Sequence, residues 1–150
     1  MYDLNELYQE IVMDHNSRPR NFRSLEGADL MAEGFNPLCG DEFVLYLKLK
    51  GDIITDVAFQ GKGCAISKAS TSMMTESIKG KSKSDALKLF KLFRDMVTVS
   101  KVNGHDAGLL GDLEILRSVS AFPVRIKCAT LSWHALQSAL NGHGKPVSTE

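Results

Sequence analysis

The chain has 150 residues, about the length of one domain, and its 43% hydrophobic and 24% charged residues fit a folded protein rather than a disordered one. Its 18 basic and 18 acidic residues give a net charge of zero, which disfavours binding to nucleic acid through bulk charge. No stretch approaches the about 18 consecutive apolar residues of a membrane span. The acidic, amphipathic start is unlike a secretory signal, so we expect a cytoplasmic protein with no membrane partner.

Alternation of apolar and polar residues predicts three strands. The clearest signal is a hairpin, in which strands at 43–49 and 53–59 are joined by the turn Gly51-Asp52. Residues 28–35 are a weaker strand candidate. Because the hairpin is antiparallel, the start of its first strand and the end of its second strand lie at the same end of the sheet.

Helical spacing of apolar residues predicts five helices, at 3–15, Ala65–Ile78, from Ser84 onwards, at 113–119 and from Pro123 onwards. We expect His15 to be a cation that suits the dipole at the end of the first helix, and the tail from Asn141 to Glu150 to be frayed. Three strands followed by helices predict an α+β fold, with a three-stranded antiparallel sheet packed against helices on one face. We expect one domain over 1–150.

Three cysteines cannot all pair with one another, so they are either small core residues or soft ligands for a metal. Cys39 precedes the first hairpin strand and Cys64 follows the second, which places both at one end of the sheet. With Asp41 and Cys128, they make a four-donor set suited to zinc. The chain has no Cys-x-x-Cys pair, so three unrelated buried thiols and a turn-forming Asp41 remain alternatives.

Other polar residues near this set are less specific. Arg125 lies three residues before Cys128, where it would support a thiolate or be a solvated charge at a helix start, and Lys127 is expected to be a bystander. The four histidines are rival ligands that we do not expect to bind the metal: His15, His105, His134 and His143.

Three segments resemble, in order, motifs of the IscU/SufU family, the NifU N-terminal-like iron–sulfur cluster assembly proteins. They are Arg18-Pro19-Arg20-Asn21, Asn36-Pro37-Leu38-Cys39-Gly40-Asp41 and Gly61-Lys62-Gly63-Cys64-Ala65-Ile66-Ser67. The resemblance spans nearly the whole chain, and it implies the SufE/NifU-like sandwich fold.

Three departures from scaffold-type IscU resemble the SufU branch. Lys127 stands where IscU has a histidine, and Ala121-Phe122-Pro123-Val124-Arg125 replaces the Leu-Pro-Pro-Val-Lys motif that a heat-shock chaperone binds. The third departure is an added stretch at about 104–119, typical of SufU. A chaperone partner is therefore not expected.

Membership of the SufU branch would imply zinc held by Cys39, Asp41, Cys64 and Cys128. It would also imply a partner, a SufS-type pyridoxal-phosphate cysteine desulfurase, and an onward supply of sulfur to the iron–sulfur assembly machinery. By this resemblance a desulfurase histidine takes the place of Cys39 on zinc, and Cys39 accepts the sulfur, with possible support from Arg125. The chain would then be a sulfurtransferase-like accessory protein.

The alternative is an IscU-type, non-enzymatic scaffold that binds iron and assembles a transient [2Fe-2S] cluster, because soft thiolates suit both metals. A purely structural zinc domain is a third option, which the turn position of Cys39 disfavours.

Overall fold

Three antiparallel strands form the centre of the computed structural model, which describes residues 4–99, 108–141 and 147–148. The elements in chain order are α1 Leu4–Ser17, β1 Leu30–Asn36, β2 Asp41–Lys50, β3 Ile53–Lys62, α2 Ala65–Ile78, α3 Lys83–Val99, a 3₁₀ helix Gly111–Ala121, α4 Pro123–Leu140 and β4 Val147–Ser148. None of the described helices is long and apolar enough to cross a membrane.

The sheet has the order β3-β2-β1-β4, and its three long strands confirm the predicted antiparallel sheet. Phe43, Leu45 and Leu47 of β2 are buried, while the residues between them are partly exposed, which is the alternation that the sequence shows. α4 packs on β1 and on α2, so the helices cover the buried face. The prediction of an α+β fold is confirmed.

Two elements differ from the sequence predictions. The two-residue β4 pairs in parallel with β1 near Gly34, although we expected the tail to be frayed; two residues are too few to show a period. The predicted helix at 113–119 is a 3₁₀ helix. Its buried Leu113, Leu116 and Val119 recur every third residue, which matches the three residues per turn of a 3₁₀ helix but also occurs on one face of a short α-helix.

The end of α1 is fixed to α2 by buried polar groups, and the prediction for His15 is wrong. His15 is buried, and its Nδ1 lies 2.7 Å from the Ser72 hydroxyl. The backbone N–H of Arg20 also donates to Ser72 Oγ, at 2.8 Å. Burial and then the charge of Arg20 lower the pKa of His15, so the ring is a neutral partner of Ser72 and not a cation at a helix end.

Hydroxyl groups bring α2 close to α4. Ser70 Oγ donates to the Ala129 carbonyl at 2.6 Å and accepts from Trp133 Nε1 at 3.3 Å. Trp133 in turn stacks on Phe93, with ring centroids 4.7 Å apart. This packing brings the first turn of α2 and the second turn of α4 to the same end of the sheet.

Candidate metal centre

The connection between β1 and β2 presents Cys39 at the surface. The Asn36 carbonyl accepts a hydrogen bond from the Cys39 N–H at 3.3 Å, which closes a turn with Pro37 at its second position. Gly40 then adopts a φ of 70°, a conformation that most other residues avoid, and reverses the chain into β2. As a result Cys39 is exposed, while Asp41, the first residue of β2, is buried.

The corner between β3 and α2 brings Cys64 to the same place. Cys64 is the N-cap of α2, and its sulfur accepts the Ser67 N–H at 3.4 Å. The Cys64 N–H donates to Asp41 Oδ1 at 2.8 Å, and Cys64 Sγ lies 3.9 Å from Asp41 Oδ2. The strand register, with Glu42 opposite Lys62, therefore places both connections at one end of the hairpin.

α4 supplies the third sulfur. Cys128 is buried, and its Sγ lies 3.3 Å from Cys39 Sγ. The ligand atoms of Cys39, Asp41 and Cys128 all lie within 4.8 Å of one another. The structure thus brings together three of the four residues in the predicted donor set, and the fourth, Cys64, contacts Asp41.

The pKa values of the Cys64 and Cys128 thiols are shifted in opposite directions. Hydrogen bonding with Cys128, and then the Ser67 N–H, lower the pKa of Cys64 to about 7, although burial acts against them. The same bond with Cys64, burial and the bond with Cys39 raise the pKa of Cys128. The two thiols therefore titrate as a coupled pair, in which Cys64 loses its proton more readily than Cys128.

The donor set fits a soft divalent metal. Asp41 is 2% exposed, and among the residues that the structure describes no Lys, Arg or His forms an ion pair with it. A buried carboxylate needs a compensating charge, and bound metal supplies one. Sulfur-rich donors with one carboxylate suit zinc or an iron–sulfur cluster better than magnesium or calcium.

The sequence left open whether Arg125 supports a thiolate of the site or is a solvated charge. Its side chain is exposed, and its guanidinium carbon lies 4.4 Å from the centroid of the Phe122 ring. Burial raises the pKa of Tyr8, and the charge of Arg125 acts against this rise without reversing it. The contact that the structure gives Arg125 is thus with an aromatic ring and not with one of the predicted metal ligands.

Other candidates for the site lie elsewhere. The metal-binding group among the described residues contains no histidine, and His105 and His143 lie outside those residues. A groove of about 780 Å³ runs between α1 and the 3₁₀ helix, but its lining contains none of the three cysteines. The candidate centre lies outside this groove.

Sequence reasoning missed Asn36. Its buried side-chain amide lies 3.0 Å from Asp41 Oδ2 and 3.4 Å from Cys128 Sγ. The sequence marks Asn36 as a turn former before a proline, and this signal describes its backbone and not its side chain.

Comparisons with known proteins identify the family of this chain. The family model described as "NifU-like N terminal domain" matches residues 7–143. A Bacillus subtilis (strain 168) protein named zinc-dependent sulfurtransferase SufU is 46% identical over 138 residues, which cover 92% of each chain. A Streptococcus pyogenes protein named iron–sulfur cluster assembly scaffold protein IscU is 44% identical and covers 91% of this chain and 84% of its own.

A solved structure has the same fold. It comes from Fervidobacterium islandicum AW-1 and is described as a candidate iron–sulfur cluster assembly scaffold protein for the SUF system. The TM-score is 0.83 at 40% identity, over 91% of this chain and 98% of that one.

Proposed function

The chain belongs to the family of NifU-like N-terminal domains, and on that premise we propose that it is a zinc-dependent sulfur acceptor for iron–sulfur cluster biogenesis. The sulfur comes as a persulfide from a SufS-type cysteine desulfurase and passes to the downstream assembly machinery. The observation that carries the proposal is the Cys39, Asp41 and Cys128 group, with its one exposed thiol at the edge. The name of the Bacillus subtilis relative supports it.

In this proposal Cys39, Asp41, Cys64 and Cys128 hold the zinc ion. Zinc, when bound, keeps thiols in the thiolate form at neutral pH. The two sulfurs on or beside helices, Cys64 and Cys128, are partly and fully buried, so they suit fixed ligands. Cys39 lies on an exposed turn and is the sulfur that a partner protein can reach.

The transfer step follows from ordinary thiol chemistry. The Cys39 thiolate attacks the outer sulfur of a cysteine persulfide on the donor enzyme. A new S–S bond forms at Cys39, the S–S bond of the donor breaks, and the donor cysteine leaves with the electron pair as a thiolate. In this proposal Arg125, which packs against the Phe122 ring, provides a positive charge for the developing anion.

The alternative is an IscU-type scaffold that binds iron and assembles a transient [2Fe-2S] cluster. The Streptococcus pyogenes relative bears the scaffold name, and the same thiolates suit iron and sulfide. Lys127 favours the sulfur acceptor, because this chain resembles SufU in lacking the histidine that scaffold-type IscU has at this position. The proposal also places the protein in the cytoplasm. It describes the chain as a single domain over 1–150 with a SufU-type insertion at about 104–119.

Replacing the acceptor thiol tests the proposal. We expect Cys39→Ala to lose sulfur uptake from a desulfurase loaded with ³⁵S-cysteine by at least about 100-fold, because the attacking atom is gone. Thr55→Ala is the control, since Thr55 lies near the hairpin turn at the opposite end of β3 and should leave uptake unchanged. Radioactivity bound to the non-reduced protein is the measurement.

The result that contradicts the proposal is an unimpaired transfer to Cys39→Ala. Metal analysis then separates the two candidate functions. A tight zinc ion in each chain, together with faster desulfurase turnover, supports the sulfur acceptor. A coloured, labile cluster that moves to an apo-ferredoxin supports the scaffold.

A further inference from the structure

Asn36 is a buried polar residue, and its place in the sheet depends on its backbone and not on its side chain. It is the last residue of β1, its Cα pairs with that of Asp41, and it is 0% exposed. A buried amide is unfavourable unless it forms hydrogen bonds. The side chain of Asn36 therefore needs hydrogen-bond partners, and the identity of these partners indicates its role.

Both partners belong to the candidate metal centre. Asn36 Nδ2 lies 3.0 Å from Asp41 Oδ2 and 3.4 Å from Cys128 Sγ. An amide nitrogen carries two N–H groups, one for each of these acceptors. The reverse orientation of the amide would place its oxygen 3.0 Å from the Asp41 carboxylate oxygen, which is also an acceptor, so the nitrogen has to face the centre.

The amide oxygen shows that this arrangement does not serve folding alone. Asn36 Oδ1 is buried, and it has no hydrogen-bond partner in the part of the chain that the structure describes. A residue selected only to fill this position would be apolar or fully paired. The side chain keeps an unpaired oxygen while it presents both N–H groups to the candidate ligands.

We propose that Asn36 is a positioning residue of the metal centre, which orients Asp41 and Cys128 toward a shared ion and offsets part of their negative charge. The inference rests on the proposed function, because it requires these two residues to be ligands. Asn36 also fixes the Cys39 turn through its backbone carbonyl, so one residue contacts three members of the donor set. Its amide is neutral and adds two N–H dipoles without altering the charge of the centre.

Metal affinity and a metal spectrum test the inference in the full chain. Asn36→Leu removes both N–H donors at similar size, and Asn36→Asp replaces them by acceptors. We expect both variants to bind zinc about 10- to 100-fold more weakly, as for other residues that orient metal ligands, with the larger loss for the aspartate. A competing chromophoric chelator at fixed pH gives the affinity, and the sulfur-to-cobalt absorption of the Co²⁺ form reports the geometry of the ligands.

Ser132→Ala is the matched control. Ser132 is also buried, lies on α4 one turn beyond Cys128, and has a hydroxyl oxygen with no hydrogen-bond partner among the described residues, so it reproduces the loss of a buried polar group that bonds to none of the candidate ligands. We expect its zinc affinity and cobalt spectrum to equal those of the wild type. If Asn36→Leu does not fold, Asn36→Asp decides the question because it has the same shape.

Two outcomes overturn the inference. Variants that bind zinc within twofold of the wild type, with the same cobalt spectrum, show that Asn36 positions nothing, even if the apoprotein melts at a lower temperature. A wild-type chain that binds no zinc overturns the proposed function, and this inference with it. The wild-type measurement therefore distinguishes the two failures.

Discussion

Asp41 reaches the candidate centre because the residue beside it in space has no side chain. A Cβ atom added to Gly63 would lie 2.6 Å from Asp41 Oδ1 and 3.1 Å from the Phe43 ring. The carboxylate therefore occupies room that any other residue at position 63 would take. Its Oδ1 uses that room to accept the Cys64 N–H.

Gly63→Ala should accordingly damage the site. The added methyl group forces Asp41 away from Cys64, and we expect zinc to bind at least about 10-fold more weakly and the free energy of unfolding to fall by about 1–3 kcal/mol. Chelator competition and urea unfolding measure the two effects.

Gly108→Ala is the control for the glycine substitution itself, because none of the described residues beyond its chain neighbours lies within 4 Å of a Cβ at this position. Gly108→Ala should change neither the zinc affinity nor the free energy of unfolding. A Gly63→Ala chain with wild-type zinc affinity would show that Asp41 is not held as we describe.

The junction of α1 with α2 depends on a histidine that remains neutral. His15 Nδ1 lies 2.7 Å from Ser72 Oγ inside the protein, where burial and the nearby Arg20 oppose protonation of the ring. Three acidic groups act in the opposite direction without reversing the shift, namely Glu76, Asp14 and Asp112. The pKa of His15 therefore lies below its ordinary value of 6.5 in the folded state.

This shift predicts how stability depends on pH. Below about pH 6.5 the unfolded chain binds a proton that the folded His15 resists, so the free energy of unfolding is highest above that pH and falls as the pH drops toward the folded pKa. His134, whose pKa burial also lowers, contributes in the same direction.

His15→Gln removes one of these two groups, and we expect a smaller loss of stability between pH 7.5 and pH 5.5 than in the wild type. Urea unfolding at both pH values is the measurement. Equal losses in the two proteins would show that His15 titrates normally in the folded state.

At the scale of the whole molecule, the candidate centre joins three connections that lie far apart in the sequence. The turn before β2, the corner before α2 and the second turn of α4 meet there, and 89 residues separate Cys39 from Cys128. An ion bound by all of them favours the folded chain, because the unfolded chain does not hold the donors together.

Removal of the metal should therefore destabilise the protein. Free zinc at 100 times its dissociation constant stabilises the folded state by about 2.7 kcal/mol, which raises the melting temperature by several degrees over the chelated protein. Thermal unfolding with zinc and with excess chelator measures the shift.

Two controls accompany this prediction. Magnesium should not replace zinc, because it prefers oxygen ligands. Cys128→Ala should melt at the same temperature with zinc and with chelator. A wild-type chain that shows no zinc-dependent shift would contradict the prediction.

Elements with a clear period could be predicted from the sequence, and the others could not. The hairpin and the helix Ala65–Ile78 were predictable because their side chains alternate or recur over many residues. β4 has two residues and pairs with β1, so its existence depends on a distant strand. The 3₁₀ helix shows apolar residues three apart, a spacing that short α-helices share.

The sequence by itself determined the chemistry that is available: three soft sulfurs, one carboxylate, their order along the chain and the motifs of the family. Only the tertiary structure decided how these groups meet. It brought Cys128 to Cys39, buried His15, stacked Arg125 on Phe122 and turned the Asn36 amide toward the ligands. The reason is physical, since residue types follow from local sequence, whereas distances between remote segments are set by the packing of α4 on α2 and β1.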